Sequence, residues 1–181
     1  MPAAFAMVGD GPSGTVSVDG GKTWQKPDTF PTFNKDEYWT GLALGGDAVV
    51  GLTSQGRVVR STDVGKNWTV TADTKLGFDS TLIWTDTEFV TWTGGKRVRS
   101  ADGETWTTED SDLPFGPGPA ARSADGTYVI VKGGWQVWYE KQQFARSTDG
   151  AHWTVLPDGA YKKSHPIRSI VAGEGVCPAT K

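Results

Sequence analysis

The chain has 181 residues, a formal net charge of −3, and an excess of glycine (24) and tryptophan (9). That length suits one domain better than two, and the charge excludes a general electrostatic pull towards nucleic acid or anionic membranes. No apolar run reaches the roughly 18 residues that span a bilayer, and the opening MPAAFAMVGD lacks a basic flank, so it reads as a strand rather than a signal peptide.

Short apolar runs, alternating in places as in RVVRS and KRVRS, are separated by Gly, Asp, Ser and Asn, which predicts an all-β domain. In chain order the first segment offers three strands, at 4–9, 14–18 and 23–27. A second segment offers four, at 40–45, 47–53, 57–61 and 67–72. A third follows at 80–84, 87–92, 96–100 and 105–109, and a fourth at 120–123, 127–133, 143–147 and 152–157. The run PIRSIVAGEG at 166–175 resembles the first strand of a further segment.

One phrase punctuates these segments: SVDGGKTW, STDVGKNW, SADGETW and STDGAHW. The serines that open it are Ser17, Ser61, Ser100 and Ser147, spaced by 44, 39 and 47 residues. A β-type repeat with a period of roughly 40 to 50 residues indicates propeller blades of four strands, A to D. The first segment lacks strand A, and 166–175 supplies one without B, C or D. The expectation is therefore a single propeller domain over 1–181. It has four four-stranded blades, and strand A from the C-terminus joins strands B–D from the N-terminus to close the ring. An open array pairing with a second chain is the alternative; a monomer is favoured over a dimer.

The repeated phrase resembles the Asp box, S-x-D-x-G-x-T-W, of sialidase-type (BNR) repeats. Ser17, Asp19, Gly21, Thr23 and Trp24 match fully, and Ser61, Asp63, Gly65 and Trp68 match with Asn67 in place of Thr. Ser100, Asp102, Gly103, Thr105 and Trp106 match a form shortened by one residue, as do Ser147, Asp149, Gly150 and Trp153 with His152 at the Thr position. The residue types suit a scaffold: Asp accepts backbone N–H bonds in its turn, Gly supplies positive φ, and Trp tucks between sheets. One carboxylate per box is too few for a calcium loop. With only two histidines, one of them in a box, no metal or other cofactor is expected. Cys177 is the only cysteine, so no disulfide forms within the chain. The resemblance implies a secreted or cell-surface protein whose boxes lie at the ring edge. It also implies that ligands meet the opposite face, built from the B–C loops and the D-to-A linkers.

On that face the fourth segment is enlarged. From the start of strand B to the box serine it uses 21 residues, against 14 and 13 in the second and third. The extra residues include Trp135, Trp138 and Tyr139, which either extend a hairpin and bury their rings or form a stacking platform for sugar. Tyr38 and Trp39, and Tyr161 and His165, complete the candidate ligand-binding set. Sialidases use a six-bladed ring, an arginine cluster and an Arg-Ile-Pro motif. This chain has no Arg-Ile-Pro, and Arg60, Arg99 and Arg146 directly precede box serines, so sialidase activity is not expected. Another glycosidase needs two carboxylates across the substrate, and Asp36, Glu37, Asp79, Glu109, Asp110 and Glu140 are available. The favoured reading is a non-catalytic propeller binding a glycan or a cell-surface partner. The alternatives are an enzyme using those carboxylates and an assembly module of a larger secreted protein.

Overall fold

The computed structural model describes residues 3–9, 11–78, 80–133, 142–157 and 167–173. Among these residues there are strands, turns and loops but no helix. The strands are β1 (Phe5–Val8), β2 (Gly14–Ser17), β3 (Trp39–Gly45), β4 (Ala48–Thr53), β5 (Arg57–Ser61), β6 (Thr69–Asp73) and β7 (Ile83–Trp84). They continue as β8 (Phe89–Thr93), β9 (Lys96–Ser100), β10 (Thr107–Asp110), β11 (Pro117–Arg122), β12 (Tyr128–Lys132), β13 (Phe144–Ser147) and β14 (Thr154–Val155).

They form one two-stranded and three four-stranded antiparallel sheets, each a simple meander: β1–β2, β3–β6, β7–β10 and β11–β14. The predicted third strand of the first sheet shrinks to a single bridge, Val16 to Gln25. The described part of the predicted final strand, 167–173, pairs with no strand. Closure of the ring through that segment is thus not seen in the described residues. The reason lies in where the segment runs: Ala172 and Gly173 lie beside the Arg122–Asp125 turn of the last sheet, not along β1.

The sheets stack face to face, and the two-residue period of each strand decides which neighbour a side chain meets. In β4, Val49 joins Trp68 and Ala6 against the first sheet, while Val50 and Leu52 join Phe78, Leu82 and Phe89 against the third. In β8, Phe89 points back to the second sheet while Val90 and Trp92 point on to the fourth, with Ile130 and Ala145. With both faces covered, β4 is buried at every residue. This explains why it reads as a nearly continuous apolar run rather than a clean alternation. The opening strands β3, β7 and β11 adjoin one another side by side. They come so close that a Cβ on Gly41 would lie 2.9 Å from the Leu82 backbone nitrogen.

Candidate binding surface

The repeated phrase forms the same closed loop four times. Each serine hydroxyl donates to its aspartate, as Ser17 Oγ does to Asp19 Oδ1 (2.9 Å) and Ser61 Oγ to Asp63 Oδ1 (2.8 Å). Each serine also accepts from the loop glycine: Gly21, Gly65, Gly103 and Gly150 N–H groups donate at 2.9, 2.7, 2.8 and 2.8 Å. All four glycines have positive φ. The aspartate then accepts backbone N–H groups further round the turn, such as Glu104 and Thr105 onto Asp102. The departures from threonine are chemically conservative. Thr23 Oγ1, Asn67 Nδ2 and His152 Nδ1 all meet the second oxygen of their aspartate, at 2.6, 2.7 and 2.8 Å. In these three loops both carboxylate oxygens thereby accept a bond from within the loop.

These bonds stabilise the ionised aspartate. The Thr23 side chain, then its backbone N–H and Ser17, pull Asp19 from 3.8 down to about 2. Asp102 is lowered by the Glu104 and Thr105 N–H groups, and Asp149 by the backbone and ring of His152. A carboxylate with a depressed folded pKa contributes stability above its unfolded value and loses it as pH falls through the folded value. We expect the urea midpoint to fall between about pH 4 and pH 2. The fall should be smaller in Asp19→Asn; an equal fall in both proteins would remove the first loop from the acid response.

The opposite face is built from other loops. The segment after β6 folds over the β4–β5 loop, where Thr74 N donates to Gly56 O at 2.9 Å. The segment after β10 does the same at the β8–β9 loop, where Ser111 N donates to Gly95 O at 2.9 Å. Most firmly held is the linker before β3. Glu37, with a fully buried side chain, accepts from Arg57 Nε at 2.8 Å and Nη2 at 2.5 Å, and from Asn34 N at 2.8 Å. Burial pushes this carboxyl up, but the hydrogen bonds from Arg57, Thr53 and Asn34 outweigh it and leave it below 4.5. Arg57 also donates to Thr32 O at 2.9 Å and stacks over the Phe33 ring at 5.5 Å. Gln55 bridges Asn34 and Lys35. The result is a ridge, 32–38, clamped to the β4–β5 loop and carrying Tyr38 at 50% exposure beside exposed Asn34, Lys35 and Asp36.

Of the expected ligand-binding residues, then, Tyr38 stands on the surface. Trp39 does not: its ring sits half-buried among Phe33, Trp68 and Phe30, at 4.9, 5.9 and 5.8 Å. It packs the joint between the first and second sheets, and Trp39 lines a cleft of about 320 Å³ with Val8, Gly9 and Leu42. Trp135, Trp138, Tyr139, Tyr161 and His165 lie outside the described residues, as do Asp79, Glu140 and Cys177. The expected carboxylates are dispersed in role. Glu37 is paired, Lys96 holds Asp110 low, and Glu109 joins Glu88 around Arg97 and Arg99 at 2.7 to 3.6 Å. Sequence reasoning missed Arg57, Phe33 and Gln55. Arg57 opens a strand like any repeat residue, and only its partner, 20 positions back, makes it a clamp.

No family model and no curated protein sequence matches the chain. Solved structures do. YCF48 bound to D1 peptide superposes with a TM-score of 0.63 at 17% identity, over 88% of this chain and 53% of that one. Virginiamycin B lyase from Staphylococcus aureus gives 0.63 at 15% identity, over 91% and 54%. The fold is a β-propeller. The structure of a nidogen–laminin complex is also similar, with a TM-score of 0.58 at 14% identity over 86% of this chain and 62% of that one. The chain thus spans about half the length of YCF48 and of the lyase. At these identities the likeness concerns the fold; neither a shared site nor a shared activity follows from it.

Proposed function

We propose that this propeller is a non-catalytic binding protein that takes a peptide or protein segment on the 32–38 ridge and the neighbouring strand-connecting loops. The observation that carries this reading is Tyr38, an exposed aromatic on a segment fixed by the buried Glu37–Arg57 pair. A rigid aromatic anchor beside adaptable polar groups binds at low entropic cost. Support comes from two structural neighbours whose structures hold a peptide or a protein partner, YCF48 with D1 peptide and nidogen with laminin. The lyase shows that similar propellers also carry catalysis. Of the candidate carboxylates, Glu37 is tied to Arg57 and Asp110 to Lys96.

The finer reading places the chain among Asp-box, sialidase-type repeat propellers, with four blades to the chain and a secreted or cell-surface location. The repeated loop geometry supports the first of these. A glycan ligand is the second reading, resting on the aromatic loop of Trp135, Trp138 and Tyr139. Probing immobilised peptide and glycan arrays with the purified chain separates the two. Selective peptide binding, reduced at least tenfold in Tyr38→Ala with the urea midpoint unchanged, supports the ridge. Glycan binding lost in a Trp135→Ala, Trp138→Ala variant moves the site to the aromatic loop. Peptide binding indifferent to Tyr38→Ala overturns the ridge.

A further inference from the structure

Three times in this molecule the repeated loop of one blade seats on the preceding blade. A Cβ on Gly65 would lie 2.9 Å from Ala6 of β1, one on Gly103 2.5 Å from Val50 of β4, and one on Gly150 3.4 Å from the Trp92 ring of β8. Hydrogen bonds then stitch each loop to the strand or linker it covers. In the first joint Trp68 N donates to Thr29 O at 3.2 Å. In the second, Thr71 Oγ1 donates to Gly103 O at 3.0 Å and Arg60 Nε to Asp102 O at 2.9 Å. None of these side chains titrates near neutral pH.

The third joint is built differently. Asp112, in the linker after β10, donates its N–H to Ala151 O at 3.0 Å and accepts the Trp153 N–H on Oδ1 at 2.6 Å. The Ser111 hydroxyl donates to Ala151 O at 3.2 Å and accepts from Trp153 Nε1 at 3.1 Å. A carboxylate of the preceding blade is thereby tied to a loop that carries its own, Asp149. His152 serves both: its Nδ1 meets Asp149 Oδ2 at 2.8 Å, and it lines one cleft of about 400 Å³ with Asp112. The other loops have Thr23, Asn67 and Thr105 at this position, so only here does it ionise. Two further cations lie close by and are engaged elsewhere. Arg146, on the same cleft, donates to Thr127 Oγ1 at 3.4 Å. Arg97, which meets Gly150 from β9, is paired with Glu88 at 2.8 Å and Glu109 at 2.7 Å.

We propose that His152 is a proton-operated fastener of the joint between the third and fourth sheets. Charged, it serves as a shared cation for Asp149 of its own loop and Asp112 of the preceding linker. Uncharged, it leaves two carboxylates at the joint without that cation. Asp149, through its hydrogen bond and charge, and then Asp112 raise the pKa of His152 above the ordinary 6.5. A raised folded value gives stabilisation that is complete below the unfolded value and is lost as pH rises through the folded one. The joint is therefore tighter in mildly acidic solution and opens more readily above neutral pH. The His152 and Asp149 side chains are 80% and 52% exposed, so the proton tunes local opening rather than unfolding the domain.

Two measurements on the whole chain test this. The chain's two histidines give two imidazole titrations by NMR, and His152→Thr identifies which belongs to His152. Its midpoint should lie above that of a histidine in an unstructured peptide. It should fall back in Asp112→Asn, which keeps an oxygen for the Trp153 N–H but not the charge. Amide exchange at Asp112 and Trp153, corrected for the intrinsic effect of pH, then reads the joint directly. Opening should be about two- to fivefold more frequent at about pH 8.5 than at about pH 6, the range of an exposed ion pair. His152→Thr, which restores the hydroxyl of the first loop, should abolish that difference. A His152 midpoint indifferent to Asp112→Asn would confine the histidine to its own loop. Opening with the same pH dependence in His152→Thr would remove it from the joint. Either result overturns the proposal.

Discussion

Trp92→Ala is expected to lower the unfolding free energy by about 3–5 kcal/mol, the range for emptying a large aromatic site in a core. Trp92 is 1% exposed, meets Trp153 and Tyr128 edge-on at 5.5 and 5.6 Å, and donates Nε1–H to Gly150 O at 2.7 Å. It therefore fills the joint between the third and fourth sheets and fastens the loop that covers it. Trp92→Phe isolates the second role: it retains much of the apolar volume but leaves the Gly150 carbonyl without its donor, for an expected loss of about 1–3 kcal/mol. Urea unfolding at neutral pH measures both. Equal losses would mean that the hydrogen bond, not the ring volume, dominates.

Glu37→Ala is the second large effect, about 3–5 kcal/mol, because it strands a guanidinium in a mostly buried position. The Arg57 side chain is 15% exposed, and Phe33, the Thr32 carbonyl and the charge of the cross-strand Asp73 replace only part of what Glu37 supplies. Replacing both partners, as Glu37→Leu with Arg57→Met, should recover most of the loss, since the pair's desolvation cost disappears with its attraction. The same denaturation series measures this. A double variant as unstable as Glu37→Ala would place the stabilisation in the Asn34 and Gln55 bonds instead. The pair also orders the ridge, so the single variant should raise amide exchange across 32–38.

Much of this architecture was legible in the chain. The strand runs were readable because each sheet is bounded by glycine turns, and the four loops because their serine, aspartate and glycine are needed together to close the turn. Strand ends shifted by a few residues: the opening strand of the third sheet shrank to Ile83–Trp84, and that of the fourth grew to Pro117–Arg122. A register of this kind depends on neighbouring strands, which a local pattern does not contain. The candidate surface was harder to see. Tyr38 and Trp39 are adjacent and chemically alike, yet one faces solvent and the other packs against Phe33 and Trp68. Alternation separates the two, but which of them faces the joint depends on the aromatic pocket that Phe30 and Phe33 build from a linker. Arg57 and Glu37 are joined only by tertiary contact.

The loop-on-strand joint has a consequence for how such a chain changes length. Each joint is made by one blade and its immediate neighbour and uses the same loop glycine, which seats against Ala6, Val50 or Trp92 of the preceding sheet. Nothing in a blade registers how many others the chain contains. Inserting or removing one whole repeat, cut at equivalent loop residues, would therefore leave every remaining joint of a familiar kind. Blade number becomes a property of gene duplication and of ring curvature rather than of any individual sheet, and the chain behaves as a string of exchangeable parts.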